Sequence, residues 1–172
     1  MISTAEYLSP LGEMLLAEKD GNLLGLWFAG QKYFPAFRED VVPNRNTDTI
    51  ARAKDWLDRY FQGKAPSPSE LPLAPRGSAF RQEVWEILRE IPYGSVITYG
   101  AIAERIAAKR GLSQMSAQAV GGAVGHNPIS VILPCHRVVG SGGQLTGYAG
   151  GIEKKAALLT LEGLSIRDGI VR

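Results

Sequence analysis

Cysteine is almost missing from this chain: Cys135 is the only one in 172 residues. One thiol cannot form an intramolecular disulfide, and it is too few for a thiolate metal cage. Histidine is nearly as scarce. His126 and His136 are the only two, so no Cys/His zinc site can exist before residue 126. No apolar run is long enough to span a bilayer, and residues 1–6 lack the basic and apolar regions of a signal peptide. With an unpaired thiol, these features predict a cytoplasmic protein with no membrane partner. A large charge of either sign is also missing. The net charge of +2 does not by itself argue for nucleic acid. It is unevenly spread, however: residues 1–76 carry 9 basic and 10 acidic side chains, and residues 77–172 carry 10 and 7. The second half is mildly cationic, which is compatible with a phosphate surface.

What is present reads as an ordinary globular chain, 45% hydrophobic and 21% charged. Residues 63–77 hold four prolines and two glycines, which fits neither a helix nor a central strand. This predicts an N-terminal structural domain over 1–76, ending in an extended linker (about 63–76), and a C-terminal domain over 77–172. Before the linker, Gly12 to Glu18 and Leu23 to Phe28 read as strands, with a hairpin signal at Asp20-Gly21-Asn22. Ile50, Ala53, Trp56, Leu57 and Tyr60 have helical spacing. After it, Ser78 is a plausible N-cap for a helix with Phe80, Val84, Ile87, Leu88 and Ile91 on its buried stripe. Pro92-Tyr93-Gly94 stops that helix. Thr98 and Ser116 are N-caps for two short helices separated by a turn, a helix-turn-helix pattern. A Gly-rich stretch over 140–151 reads as a loop with a hairpin, Ile152 to Glu162 as a last helix, and residues 164–172 as a tail.

The second short helix, over 117–125, is nearly all small residues. Each glycine in a helix costs about 1 kcal/mol relative to Ala, so Gly121, Gly122 and Gly125 need a reason. Close helix packing is one. Close approach of the Ala119, Gly121 and Gly122 backbone to a narrow partner surface, such as the minor groove of DNA, is the other. Only Gln118 could contact a base edge, so the helix predicts shape-based binding.

Cys135 sits in Pro134-Cys135-His136-Arg137-Val138. A lone Cys is either buried filler or a nucleophile. Residues 129–133 read as a short buried strand holding the thiol on a rigid element. His136 and the charge of Arg137 favour a thiolate, because nearby cations lower a thiol pKa. Adjacent strand residues point to opposite sides, so a bridging water between Cys135 and His136 is expected in place of direct contact.

Together with Gly121-Gly122-Ala123, Asn127-Pro128 and Gly147-Tyr148-Ala149-Gly150-Gly151, this motif resembles the O6-alkylguanine-DNA alkyltransferases, also called methylated-DNA–protein-cysteine methyltransferases. The match is dense from about residue 80 to 163. The resemblance implies an α/β (α+β) fold, with a small ribonuclease-H-like sheet-plus-helix domain followed by a winged helix-turn-helix domain. It implies single-turnover transfer of an alkyl group from O6-alkylguanine, and possible activity on O4-alkylthymine, in double-stranded DNA onto Cys135. The base is flipped through the minor groove, and a monomer acts without cofactor or metal. On the matching positions, His136 is the base, Glu162 orients it, and Tyr99 donates to the guanine ring. Asn127 ties the recognition helix to the active-site turn. Tyr148 shapes the pocket, and the Ala149 amide with the Cys135 and Val138 carbonyls reads the guanine edge. Arg137 joins the DNA-binding set. Gln118 stands where the family often has an Arg that fills the gap left by the flipped base. Two rivals predict other behaviour: a winged-helix regulator with an inert thiol, and a thiol hydrolase that turns over esters or amides.

Overall fold

The computed structural model describes residues 1–172. The chain forms two compact units, one of residues 1–76 with 128–132 and one of residues 77–127 with 133–172.

In the first unit, strands β1 (Ile2–Ser9), β2 (Gly12–Lys19), β3 (Asn22–Phe28) and β4 (Val41–Val42) form a sheet in the order β3-β2-β1-β4. Its pairs are antiparallel except β1 with β4. The predicted hairpin joins β2 to β3: Lys19 pairs with Asn22, and Asp20 (φ 52°) and Gly21 (φ 82°) are both left-handed, as a two-residue type I′ turn requires. The sequence gives no clear signal for β1, because its first four residues are all buried and period-two alternation is lost there. Helix α1 (Asp48–Phe61) begins where Thr47 accepts a hydrogen bond from the Ile50 amide, and it buries the predicted Ile50, Ala53, Trp56, Leu57 and Tyr60.

The Pro-rich stretch is extended but fastened down. Ser67 and Glu70 form a capping box around a 3₁₀ turn, and Trp56 Nε1 donates to the Ser67 carbonyl. The Leu23 backbone donates to Pro72 and accepts from Ala74. Residues 128–132, expected within the second domain, cluster with the first unit. Leu26 donates to the Pro128 carbonyl (2.8 Å) and accepts from the Ser130 amide (2.9 Å). The strand expected over 129–133 does not form. Ile129 makes one bridge, to Leu26, and the chain then turns through Val131 at φ 70°, a conformation that a β-branched residue rarely adopts.

The second unit holds α2 (Ala79–Glu90), β5 (Ile97–Thr98), α3 (Tyr99–Arg110), α4 (Ala117–Gly125), β6 (Val138–Val139), α5 (Ile152–Leu161), β7 (Ile166–Arg167) and β8 (Ile170–Val171). Ser78, Thr98 and Ser116 cap α2, α3 and α4 as their sequence context predicts. Gly111, left-handed at φ 68°, ends α3. In the helix-turn-helix pair, Ile102 and Ile106 of α3 and Val120 and Val124 of α4 are buried. Trp85, outside the predicted α2 stripe, is buried and donates from Nε1 to the Ala123 carbonyl (2.8 Å), fastening α2 to α4. β5 runs parallel to β6, which fixes the start of α3 beside the chain leaving Cys135. No hairpin forms over 140–151. The hairpin is β7–β8, in the stretch read as a tail. Asp168 (φ 53°) and Gly169 (φ 72°) make its turn. No helix is long and apolar enough to cross a membrane.

Candidate active site

Two tight turns present the thiol. Pro134 (φ −80°, ψ 65°) centres an inverse γ-turn in which the Cys135 amide donates to Leu133 O (2.8 Å). Residues Cys135–Arg137 then make one turn of 3₁₀ helix. Successive side chains fan out by about 120° in that geometry. Cys135 and His136 therefore diverge from a turn, and not from the two faces of a strand as the sequence suggested. The Cys135 carbonyl accepts from the Val138 amide, and Val138 is fully buried in β6.

His136 is 0% exposed, and its Nε2 lies 2.6 Å from Glu162 Oε2. Glu162 caps the end of α5 and is gripped from three more directions. Arg137 donates from Nε to Oε1 (2.8 Å) and from Nη2 to Oε2 (3.1 Å). The Gly94 amide donates to Oε1 (3.0 Å). Gly94 has φ 78°, a conformation that favours glycine, so Pro92-Tyr93-Gly94 does more than stop α2: it aims an amide at the carboxylate. The third guanidinium nitrogen of Arg137 donates to the Ile91 carbonyl (2.7 Å), and the group lies 5.7 Å from the Tyr93 ring centroid. Arg137, expected among the DNA-binding residues, is thus buried, with its hydrogen bonds directed inward.

The electrostatics follow. Burial works to raise the Glu162 pKa, but the hydrogen bonds and charges of His136 and Arg137 override it, and the carboxyl is held at about 2. Burial pushes His136 down from its ordinary 6.5, against the pull of Glu162. Arg137 is the permanent cation of the group, so Glu162 is ionised while the imidazole rests neutral. With its Nε2 proton directed at Glu162, the tautomer inferred from that hydrogen bond leaves Nδ1 as the basic nitrogen. Cys135 is 6% exposed. Burial pushes its thiol up, and a hydrogen bond from Asn127 and the charge of Lys155 pull it partly back. The sequence expectation of a thiol lowered by Arg137 is corrected on both counts: burial dominates, and Arg137 is turned to Glu162.

Asn127, buried just beyond α4, donates from Nδ2 to the Leu133 carbonyl (2.8 Å) and reaches the Cys135 sulfur. It therefore links the helix-turn-helix to the cysteine turn. Tyr99 is the first residue of α3. Burial raises its hydroxyl pKa, opposed by a hydrogen bond to Thr146, so it is a protonated donor at neutral pH. Cys135, His136, Glu162, Asn127 and Tyr99 share one electrostatic neighbourhood. Tyr148 and Ala149 are half-buried in the Gly-rich loop.

A second group lies apart on the outer face of α4, where Gln118, Ala119 and Gly122 are exposed and Gly121 is half-buried. A Cβ added at Gly121 would make an ordinary 3.8 Å contact with Tyr99, and one added at Gly122 would meet nothing within 4 Å. Packing inside the protein therefore does not require a glycine at 122.

Lys155 escaped sequence reasoning. It is 0% exposed and donates to the Thr146 and Gly147 carbonyls (2.9 and 3.1 Å). A signal existed: Lys155 lies three and four residues before Leu158 and Leu159, on the apolar stripe of α5. No group of three or more His, Cys, Asp or Glu is placed to hold a metal ion.

Comparison with known proteins shows the family of both parts of the chain. Residues 3–75 match the ribonuclease-like domain, and residues 79–164 the DNA binding domain, of 6-O-methylguanine DNA methyltransferase. The methylated-DNA–protein-cysteine methyltransferase of Haemophilus influenzae is 39% identical over 165 residues, covering 94% of this chain and 87% of that one. The structure of Mycobacterium tuberculosis OGT in complex with DNA superposes with a TM-score of 0.84 at 42% identity, over 94% of this chain and 93% of that chain. The O6-methylguanine-DNA methyltransferase of the archaeon Pyrococcus kodakaraensis gives a TM-score of 0.64 at 26% identity, over 95% and 99%. Both halves of the chain are thus accounted for by one family, and the chain belongs to the 6-O-methylguanine DNA methyltransferases, a family of DNA-repair enzymes.

Proposed function

We propose that this protein removes the alkyl group from O6-alkylguanine in double-stranded DNA by irreversible transfer to its own Cys135, and that O4-alkylthymine is a further candidate substrate of the same thiol. The observation that carries the reading is the buried carboxylate–imidazole pair of Glu162 and His136, next in the chain to the only thiol, in the unit that holds the helix-turn-helix.

An alkyl carbon on guanine O6 is a poor electrophile, and a thiolate is the side-chain nucleophile that suits it. At rest the Cys135 thiol is protonated, because burial raises its pKa, so a base must act. Neutral His136 takes the thiol proton through a bridging water, and Glu162 stabilises the resulting imidazolium. The Cys135 Sγ–carbon bond forms as the carbon–O6 bond breaks. Tyr99 donates its proton to a guanine ring nitrogen, so the base leaves neutral, and the proton taken from the thiol replenishes Tyr99. The alkyl group ends in a stable thioether, and the released neutral guanine is too weak a nucleophile to take it back, so each molecule acts once, as a monomer and without cofactor.

To reach the thiol, the lesion leaves the duplex on the minor-groove side, where the outer face of α4 brings the backbone at Ala119, Gly121 and Gly122 close to the DNA. Gln118 enters the vacated space. Flipping costs a few kcal/mol, least for a damaged base. The Ala149 amide and the Cys135 and Val138 carbonyls read the guanine edge, and Tyr148 closes the alkyl pocket.

The test is intact mass after mixing the protein with a duplex holding one O6-methylguanine. The expected result is a gain of one methyl group on Cys135 that is absent in Cys135→Ser. DNA binding with no mass change would instead support a regulator with an inert thiol.

A further inference from the structure

The ends of β5 and β6 lie side by side. Thr98 pairs with Val139, so the next residue of each chain, Tyr99 in one and Gly140 in the other, leaves the ladder beside its neighbour. From Gly140 the Gly-rich loop curls back on itself: the Gly140 amide donates to Gln144 O (2.8 Å), and the Gly143 amide to Gly140 O (3.1 Å). The C-terminal hairpin holds this curl from outside. The Leu145 amide donates to Gly169 O (2.8 Å), Gln144 bridges Ile170, and Gly143 lies so close to β8 that an added Cβ would stand 2.8 Å from Val171 O. Thr146, the next residue, is thereby brought onto Gly140. Its Cγ2 lies 3.1 Å from where a Gly140 Cβ would stand, so the threonine methyl group uses room that only glycine leaves. A β-branched side chain seated in this way has little freedom at χ1, and its hydroxyl is hydrogen-bonded to Tyr99.

We propose that Thr146 is a positioning residue for Tyr99: its hydroxyl donates to the Tyr99 oxygen, leaves the phenol's own proton to point at the extruded base, and stabilises the phenolate formed when that proton is given up. This rests on the alkyl-transfer reading above and deepens it. No proton leaves Thr146. The Tyr99 O–H bond breaks as the N–H bond on guanine forms, and the hydrogen bond from Thr146, now made to an anion, strengthens until the proton taken from the thiol arrives. The titratable groups that face Tyr99 are the Cys135 thiol and the Lys155 ammonium, which lies 5.9 Å from the ring centroid. Burial raises the Tyr99 pKa and an ionised Cys135 would raise it further, whereas the Thr146 hydrogen bond lowers it. A phenol that is a weaker acid gives up its proton less readily at neutral pH, so this contact acts in the direction the reaction needs. Thr146 is itself exposed, which lets water satisfy the hydroxyl lone pairs while its hydrogen is turned to Tyr99.

The experiment follows single-turnover methyl transfer from a saturating O6-methylguanine duplex in wild type, Thr146→Val, Thr146→Ser, Tyr99→Phe and the double variant Tyr99→Phe with Thr146→Val. Val keeps the shape and loses the donor, and Ser keeps the donor and loses the methyl seat. Thr146→Val should lower the saturating rate about tenfold, the worth of one hydrogen bond to a developing charge, with affinity for the duplex unchanged, and Ser should recover most of the rate. In the Tyr99→Phe background, Thr146→Val should change nothing further. An unaltered rate in Thr146→Val would overturn the proposal, and so would the same loss in both backgrounds, which would mean that Thr146 acts through packing alone. Without DNA, the Tyr99 phenol titrated by NMR should move to higher pH in Thr146→Val and stay in place in Thr146→Ser; a phenol blind to both substitutions overturns the pairing. Wild type that takes no methyl from the duplex, while its Tyr99 titration still moves with Thr146, would sink the repair reading and leave the Thr146–Tyr99 pairing standing.

Discussion

At the scale of single residues, the site divides its labour between groups that react and groups that hold them. Glu162 belongs to the second kind. Four hydrogen bonds converge on its two oxygens, from His136, from two nitrogens of Arg137 and from the Gly94 amide. Glu162→Gln keeps the shape and removes the charge that an imidazolium needs, so the rate of methyl transfer should drop on the order of 10²-fold or more. The same substitution has a signature in stability. The folded carboxyl sits at about 2 against an ordinary 4.5. Its contribution is therefore fully present above pH 4.5 and is lost as pH falls towards 2. His136 acts with the same sign at higher pH: its folded pKa lies below 6.5, so the unfolded chain takes up that proton first and stability declines below about pH 6.5. Urea midpoints measured from pH 8 to pH 2 should show both declines in wild type, and only the upper one in Glu162→Gln. A lower decline that persists in the variant would mean that other carboxylates cause it. Of this site, the sequence discloses Cys135 and His136 by adjacency, and Glu162 only through the family motif. Nothing local in Leu161-Glu162-Gly163 distinguishes a buried clamp from a solvated helix end. Arg137 was misplaced because adjacency to a thiol does not fix the direction of a guanidinium. A carboxylate 25 residues away does.

At the scale of elements, α4 is the most unusual piece. Its N-cap, Ser116, and its buried residues, Val120, Ala123 and Val124, are ordinary. Its outer face is not, because it carries almost no side chain. The two explanations for its glycines separate at Gly122, where a methyl group would touch nothing in the protein. Gly122→Ala should therefore raise folding stability by up to about 1 kcal/mol, the ordinary helix preference, seen as a higher urea midpoint. It should also weaken DNA binding, because the added methyl group stands on the face proposed to meet the duplex. Gln118→Ala on the same face should slow transfer more than it weakens binding, since its proposed role begins after the base has left the stack. Equal affinity of all three proteins for duplex DNA, with equal transfer rates, would show that this face is not the contact. The helix starts were legible because caps are local. Ser78, Thr98 and Ser116 each accept a hydrogen bond from the amide three residues on, and a short polar side chain before an apolar period announces that. The hairpin at Asp168-Gly169 carried an equally local signal, which two-residue strands made easy to miss. The turn at Val131 had none, because no local preference leads a valine to φ 70°.

At the scale of the whole molecule, the chain does not divide where its composition does. The Pro-rich stretch looks like a boundary, and the first unit does end at Arg76. Yet residues 128–132 return to that unit, and the chain leaves it again at Leu133, two residues before the thiol. No sequence pattern marks this return, since Asn127-Pro128 reads as a turn and 129–133 as an apolar strand. Its cause is tertiary: the Leu26 backbone supplies an acceptor and a donor that Ser130 and Pro128 satisfy, while Ile129 and Val131 are fully buried. The expected consequence is that residues 77–172 expressed alone retain the helix-turn-helix but lose the partner of this five-residue segment. Two backbone groups and two β-branched side chains would then face water, and the Val131 turn would lose the packing that sustains its left-handed backbone. That strain lies only four residues before Cys135, so relaxing it moves the Pro134 turn on which the sulfur depends. The fragment should unfold at a lower urea concentration than the full chain. It should still bind duplex DNA through α4, and it should transfer the methyl group at least tenfold more slowly, since a displacement of about 1 Å at a reacting centre can cost far more. Adding residues 1–76 as a separate chain should recover part of the rate. A fragment that matched the full chain in transfer rate would show that the cysteine turn holds its shape without the first unit.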